Sequence, residues 1–385
     1  MKKRAFCTVC NHPYLSEEAV VITKPLPLSQ ACVDTPKEAD VSAQQHWVSC
    51  PKCGSVQLLF VAPDEIVYGH GHAESFGQVW ENHHSQLAQF IKENKAEGDI
   101  LEIGGGNGKL AKKYREQTNA DFWINIDPAS HNVDQSIEKY MQINGLFDEN
   151  TSIGATKTIV MSHCLEHVGN MFNVLQSVHD KLPFGGRLIL SWPTLDYWLQ
   201  NSVAGGLNWE HTFFCPMYRV ARILESIGFN HLRHKFYLAQ HSLFLVFEKS
   251  KHVIPANLAL PEYCEESSRN LVKRYFNGFE IKTKKLLEVI DKSQPVWFMP
   301  ASIYTQFLYC MDSELAELAG GIIDDSPTKQ GKRLYGTSLK VIPLQDLTNV
   351  KQGQIILNGG AHSTTIINKI STLNSNLKVF NVSEL

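Results

Sequence analysis

Several things are missing from this chain of 385 residues. No apolar run approaches the ~18 residues that a membrane-spanning helix needs. No charge of one sign dominates: 36 Lys and Arg face 39 Asp and Glu, for a net charge of −3. That balance gives no basic field to draw in nucleic acid or anionic lipid. After Met1-Lys2-Lys3-Arg4 there is no apolar stretch of signal-peptide length, so a cytoplasmic location is expected. Internal repeats and low-complexity tracts are also absent. Cysteine is not scarce, but its number, 9, is odd, and two C-x-x-C pairs stand out. This pattern points to metal ligation in a reducing compartment and away from a disulfide framework. With 43% apolar residues the chain can build two or three cores.

What is present begins with Ile100-Leu101-Glu102-Ile103-Gly104-Gly105-Gly106-Asn107-Gly108. It reads as a buried strand, a tight glycine turn and a helix start. Glycine lacks Cβ, so such a loop can take positive φ and let a ligand approach its backbone. The dinucleotide spacing G-x-G-x-x-G would need glycine at Lys109, which sets NAD aside. The spacing E-x-G-x-G-x-G resembles that of class I methyltransferases, which bind S-adenosylmethionine (SAM). Downstream, Phe122-Trp123-Ile124-Asn125-Ile126-Asp127 is a second apolar run ending in an acid. A carboxylate there can accept hydrogen bonds from ribose hydroxyls. Thr158 to Met161 and Arg187 to Leu190 read as further strands. Strands alternating with helices predict an α/β doubly wound sheet with its ligand at the carboxyl ends of the strands. Asn144 to Phe147 are expected to border the adenine.

Three segments follow from this pattern. Residues 1–65 hold the C-x-x-C pairs and a strand from Val56 to Val61. Residues 66–250 hold the glycine loop and close with the apolar run Leu243 to Phe247. Residues 251–385 start with a long helix opened by Pro261, with Leu271, Tyr275, Phe279, Leu286 and Ile290 on one face. A second, smaller α/β unit follows, with strands at Val296–Met299, Gly321–Ile323 and Ile355–Leu357 and a helix from Tyr304 to Leu318.

Cys7, Cys10, Cys50 and Cys53 form two knuckles able to present four thiolates in a tetrahedron. That suits structural zinc and leaves no open position for chemistry. In a segment with so small a core, the metal would supply folding energy. Cys32, His12 and His46 are read as bystanders.

Together these motifs resemble the three-domain, zinc-containing, SAM-dependent nucleotide-sugar C-methyltransferases of deoxysugar biosynthesis, over nearly the whole chain. Cys50-Pro51-Lys52-Cys53-Gly54 resembles their second zinc knuckle. Tyr68-Gly69-His70-Gly71-His72, with Ser75 and His84, resembles their approach to the SAM domain. Cys164-Leu165-Glu166-His167-Val168 is similar to N-V-L-E-H-V, except at its start. Trp209-Glu210-His211-Thr212-Phe213 resembles the segment around their catalytic E-H pair. Asp324 to Lys332 resembles the signature D-D-N-P-x-K-Q-G-K. The resemblance implies a class I methyltransferase sheet, a small zinc domain and a C-terminal Rossmann-like domain. It implies methylation at the carbon beside a ketone in a dTDP- or other NDP-linked keto-deoxysugar, through an enolate, with His211 as base and Glu210 beside it.

Three departures fall where the sugar should sit. Asn208 replaces a tyrosine; it can hydrogen-bond an oxyanion but cannot act as a phenolic acid or base. Gln240-His241-Ser242-Leu243-Phe244 replaces G-G-S-L-R, and Trp297-Phe298-Met299-Pro300 replaces G-Y-G-A.

The expected catalytic residues are therefore His211, Glu210 and Asn208. The expected SAM contacts are Glu102, Gly104, Gly106, Asp127, His163, Tyr68 and His84. Glu166 and His167 are read as polar groups at a helix start and His83 as a neighbour of the site. Two other readings stay open: methyl transfer to oxygen or nitrogen of a related glycan precursor, and a non-catalytic, zinc-stabilised binding protein. The expected partner is a small molecule, without nucleic acid or membrane.

Overall fold

The computed structural model describes residues 1–69, 77–128, 134, 136–255, 260 and 262–385. His70, Gly71, His72, Ser75 and Pro261 lie outside the described residues. No helix among the described residues is long and apolar enough to cross a membrane.

The chain opens with three antiparallel strands, β1 (Ala19–Pro27), β2 (Ser42–Ser49) and β3 (Val56–Leu58). The single strand expected from Val56 to Val61 is two. At Leu59 the chain changes partner: Val56–Leu58 pairs with β2, whereas Phe60–Val61 pairs with Lys2–Lys3.

The middle of the chain contains α1 (Gln78–Asn94), β4 (Ile100–Ile103), α2 (Lys109–Arg115), β5 (Trp123–Asp127), β6 (Tyr140–Asn144) and β7 (Thr158–Ser162). Then come α3 (Met171–Lys181), β8 (Arg187–Pro193), α4 (Leu195–Gln200), β9 (Phe213–Phe214), α5 (Met217–Ser226), β10 (Phe229–Leu238) and β11 (Ser242–Lys249). Seven of these strands form one sheet in the order β10-β11-β8-β7-β4-β5-β6. Within this sheet only β11 runs against the direction of the other six strands. All of β4 is buried, as is the run Ile159-Val160-Met161 of β7. Central strands covered on both faces read as continuous apolar runs without alternation. The order reverses between β4 and β7, so a crevice opens at their carboxyl ends, where ligands of doubly wound sheets bind.

The last third holds α6 (Glu265–Val289), β12 (Val296–Met299), α7 (Ile303–Met311), β13 (Ala319–Ile323), β14 (Val341–Ile342), β15 (Gly353–Leu357), α8 (Ser363–Leu373) and β16 (Leu377–Asn381). Its five strands are all parallel, in the order β14-β13-β12-β15-β16. The helix expected from Tyr304 to Leu318 breaks at Asp312. The Asp312 carboxylate accepts from the Glu314 and Leu315 amides and so starts a new helix, Ser313–Leu318.

The three segments are knitted together. The strand β9, only two residues after His211, pairs with β3 and completes the first sheet. Arg333–Leu334 pairs with Cys32–Val33, and the Arg333 guanidinium grips the Asp40 carboxylate with two hydrogen bonds of 2.6 Å. Leu271, Tyr275, Phe279 and Leu286 of α6 are buried as the periodicity predicts, each contributing about 1.5–3 kcal/mol. Through them α6 also fixes the loop that leads to His211. Tyr275 Oη accepts from the Leu207 amide at 3.2 Å, and Ser202 Oγ donates to the Tyr275 carbonyl at 2.9 Å. Gly278 permits that approach, because a Cβ there would lie 1.9 Å from Ser202 Oγ.

Candidate functional site

The glycine loop after β4 sits on a buried acid. Glu102 is 1% exposed, and its Oε2 accepts from Trp123 Nε1 at 2.9 Å. A Cβ on Gly105 would come within 2.4 Å of the Glu102 carboxyl carbon, so the loop can rest there only as glycine. Gly104, Gly106 and Gly108 all have positive φ, at 75°, 52° and 78°. Gly104 lies against the Cys164 side chain, whereas none of the described residues stands within 4 Å of where a Gly106 Cβ would be. Among the described residues the loop is therefore closed beneath and open above. Two side chains at the end of β5 lock its shape: Asn125 Oδ1 accepts from the Gly105 amide and Asp127 Oδ2 from the Gly106 amide, both at 2.9 Å. Burial pushes the Glu102 carboxyl up to about 8, and the nearby Asp127 charge adds to the rise. This acid thus holds its proton at neutral pH.

Near this loop lie the imidazoles of His84 and His163. His84, in α1, is held down to about 4 by burial first and by His163 second. His163 has a φ of 47°, unusual for a residue with a side chain. Its Nε2 lies 2.7 Å from Ser242 Oγ and its Nδ1 3.2 Å from Glu166 Oε1. Tyr68 is half-buried; burial, then the carboxylate of Glu210, raises its phenol well above the usual range. Gly145, in the segment expected to border adenine, donates its amide to the Asp127 carbonyl at 3.3 Å.

The expected catalytic residues occupy one tight loop. Asn208 Oδ1 accepts from the amides of Glu210 (2.6 Å) and His211 (2.9 Å), and Asn208 Nδ2 donates to the Gly205 carbonyl at 3.3 Å. Its amide thus shapes the loop that presents Glu210 and His211. His211 Nδ1 lies 2.5 Å from the Gly205 carbonyl oxygen. A carbonyl only accepts, so Nδ1 carries the proton and Nε2 the lone pair. That Nε2 is 3.1 Å from His167 Nε2. By sequence His167 is a polar group at a helix start; a pairing across 44 residues leaves no local signal. Trp209 anchors the same loop, with its Nε1 donating to the Leu26 carbonyl of β1 at 3.1 Å.

At the other end of this framework, the sulfurs of Cys7, Cys10, Cys50 and Cys53 lie within 4.8 Å of one another. The Cys7–Cys53 and Cys10–Cys50 separations are both 3.7 Å. An ion ~2.3 Å from four tetrahedral sulfurs would space them about 3.8 Å apart. The knuckles share one geometry. In each, the residue after the second cysteine, Asn11 or Gly54, has positive φ and donates its amide to the carbonyl of the first cysteine at 2.9 Å. Ser55 Oγ lies 3.4 Å from Cys7 Sγ and 3.0 Å from Cys53 Sγ. Neither Cys32 nor His12 nor His46 joins this cluster. Arg4 links it to the loop of His211, donating to Gln57 Oε1 and to Thr212 Oγ1.

In the C-terminal unit, the residues resembling D-D-N-P-x-K-Q-G-K form a closed turn. Asp324 Oδ2 accepts from the Ala301 amide at 3.1 Å and from Lys329 Nζ at 2.9 Å, and Lys329 also donates to the Ala301 carbonyl.

Residues 79–234 match a family model described as a methyltransferase domain. No curated protein matches the chain. Solved structures similar to it include the CcbJ methyltransferase from Streptomyces caelestis, at 9% identity and TM-score 0.35, covering 46% of this chain and 100% of that one. The N-methyltransferase NodS from Bradyrhizobium japonicum matches at 14% identity and TM-score 0.32, covering 45% and 97%. Magnesium protoporphyrin IX methyltransferase from Synechocystis matches at 13% identity and TM-score 0.36, covering 46% and 90%. With the family match spanning the glycine loop, Asp127 and the core of the seven-stranded sheet, the middle of this chain is a methyltransferase domain of the class I α/β fold, and the protein is a SAM-dependent methyltransferase.

Proposed function

We propose that the enzyme methylates the carbon beside a ketone in a nucleotide-linked keto-deoxysugar, with His211 as the base. One observation carries this reading: His211 is held by the Gly205 carbonyl in the tautomer that leaves Nε2 basic. A ketone acidifies the neighbouring C–H, and imidazole titrates in the range that suits its removal at neutral pH. Nε2 takes the proton, and the electron pair of the broken C–H bond moves into the enolate. SAM, when bound, supplies the electrophilic methyl for that carbon. Its holders are Gly104 and Gly106 through their backbone, Asp127 through the ribose hydroxyls, Glu102 from below, and Tyr68 and His84 from the rim. The open face above Gly106 and the carboxylate of Asp127 fit a nucleoside. Glu210, the residue before His211, is buried, and in this reading its carboxylate stabilises the imidazolium that forms. His167 Nε2 lies 3.1 Å from His211 Nε2 and gives way to the substrate C–H when it enters.

The four cysteines hold zinc in this reading. Their spacing fits the ion's tetrahedral shell, and a closed thiolate set gives it a structural role. Through β9 and Arg4, that site braces the strand that follows His211.

The test is turnover with SAM and a panel of dTDP- and GDP-linked 4-keto-deoxysugars in deuterated water, read by mass spectrometry. A product one methyl heavier, with solvent deuterium exchanging at the carbon beside the ketone, supports the reading. Methyl gain without carbon exchange replaces it with oxygen or nitrogen transfer.

A further inference from the structure

We propose that His83, His163 and His241 form a second metal site, a three-imidazole centre for a zinc-class divalent ion at the carboxyl-end edge of the large sheet. One ring nitrogen from each lies within 4.8 Å of the other two. The residues come from α1, from the loop after β7, and from the turn before β11, so no sequence spacing joins them. Their ring centres make a nearly equilateral triangle, with sides of 5.3, 5.3 and 5.6 Å. An ion ~2.0–2.1 Å from each nitrogen sits ~3.2 Å from each ring centre, and tetrahedral angles then separate the centres by ~5.2 Å. The observed triangle has that size.

The hydrogen bonds also suit ligation. His83 is fully buried; its Nε2 lies 2.8 Å from Ser191 Oγ, and its Nδ1 has no hydrogen-bond partner among the described residues. A buried polar atom left without a partner needs a physical reason. Packing of aromatic rings does not supply one, whereas a cation does. His163 Nδ1 lies 3.2 Å from the buried carboxylate of Glu166 without a hydrogen bond formed between them; a ring bound to metal through Nε2 would donate there. Neither Glu166 oxygen has a hydrogen bond among the described residues, so this buried acid also lacks a donor that a cation nearby would offset. Ser242 Oγ, 2.7 Å from His163 Nε2 and 2.5 Å from His241 Nδ1, marks where those two rings converge, and the ion displaces the hydroxyl from any nitrogen it binds. Trp80 covers the group, with ring centres 4.6 Å from His241 and 4.8 Å from His163. Three protein ligands leave a fourth position for water or an anionic group of a bound molecule. His163, expected from the sequence to face SAM, would turn to this ion instead. His241 stands where the resembling family has a glycine, so the site is a feature of this chain.

The inference does not rest on the proposed substrate, because metal content is read without turnover. Tag-free, full-length protein is incubated with zinc, desalted and analysed by mass spectrometry of the metal. Two zinc ions per chain are expected for the wild type and one for the double variant His83→Gln/His241→Gln. X-ray absorption at the zinc edge of the wild type, which needs no variant, is expected to show imidazole and thiolate scattering together. One zinc per chain with sulfur scattering alone, or equal metal content in both proteins, overturns the proposal.

Discussion

Replacing Glu102 by Gln changes the pH dependence of stability in a calculable way. The folded protein keeps the Glu102 proton to about pH 8, because burial penalises the carboxylate; its ordinary pKa is 4.5. Between these values the folded state binds the proton and the unfolded chain does not. Unfolding therefore releases a proton there, and stability falls as pH rises, opposite to the usual carboxylate. The window runs from about pH 4.5 to 8, and at ~1.4 kcal/mol per unit the loss reaches about 3 kcal/mol by pH 7. Glutamine carries no titrating proton and keeps an oxygen for Trp123 Nε1. The variant is thus expected to match the wild type near the acid end of that window and to exceed it by about 2–3 kcal/mol at neutral pH. Parallel urea unfolding of the two proteins without SAM, followed by tryptophan emission, measures the difference. A difference that stays constant with pH across the window refutes the buried, protonated acid beneath the loop.

Other perturbations separate the remaining parts. His211→Asn is expected to keep SAM affinity and lose about 10²–10⁴-fold in kcat; an unchanged kcat in stopped assays removes His211 from the chemistry. Asn208→Ala deletes the acceptor shared by the Glu210 and His211 amides and is expected to lower kcat/KM by about tenfold or more, with SAM binding by calorimetry unaffected; equal kcat/KM denies the loop-shaping role. Cys53→Ser is expected to lose the structural zinc, expose residues 1–65 to proteolysis and, because β9 completes that sheet, lose turnover as well. Full metal content and turnover in that variant contradict the structural role.

The parts of this molecule legible in its sequence are those in which a short segment dictates its own backbone. The glycine loop, Asp127 at the end of β5 and the paired C-x-x-C knuckles each carry their geometry within a few residues, and each stands where expected. Apolar runs such as Ile159-Val160-Met161 announce central strands because both faces are buried. Hidden from the sequence were pairings made only by the fold. His167 meets His211 through the arrival of two separate loops at one crevice. The triangle of His83, His163 and His241 needs a helix and two strand ends to converge. Phe213 and Phe214 form a strand of the first sheet that the sequence does not announce, since two residues carry no periodicity. Asn208 was legible as a departure from a tyrosine, but its role as a turn-former appears only once its amide meets the backbone of residues 210 and 211.

The most direct measurement is a calorimetric titration with SAM of the wild type and of Asp127→Ala. The account predicts one saturable site per chain in the wild type. It predicts affinity weakened by about 10–100-fold in the variant, which loses charge-assisted hydrogen bonds worth ~1.5–3 kcal/mol. No binding to the wild type, or equal affinity in both proteins, would contradict a nucleoside seated between the glycine loop and Asp127.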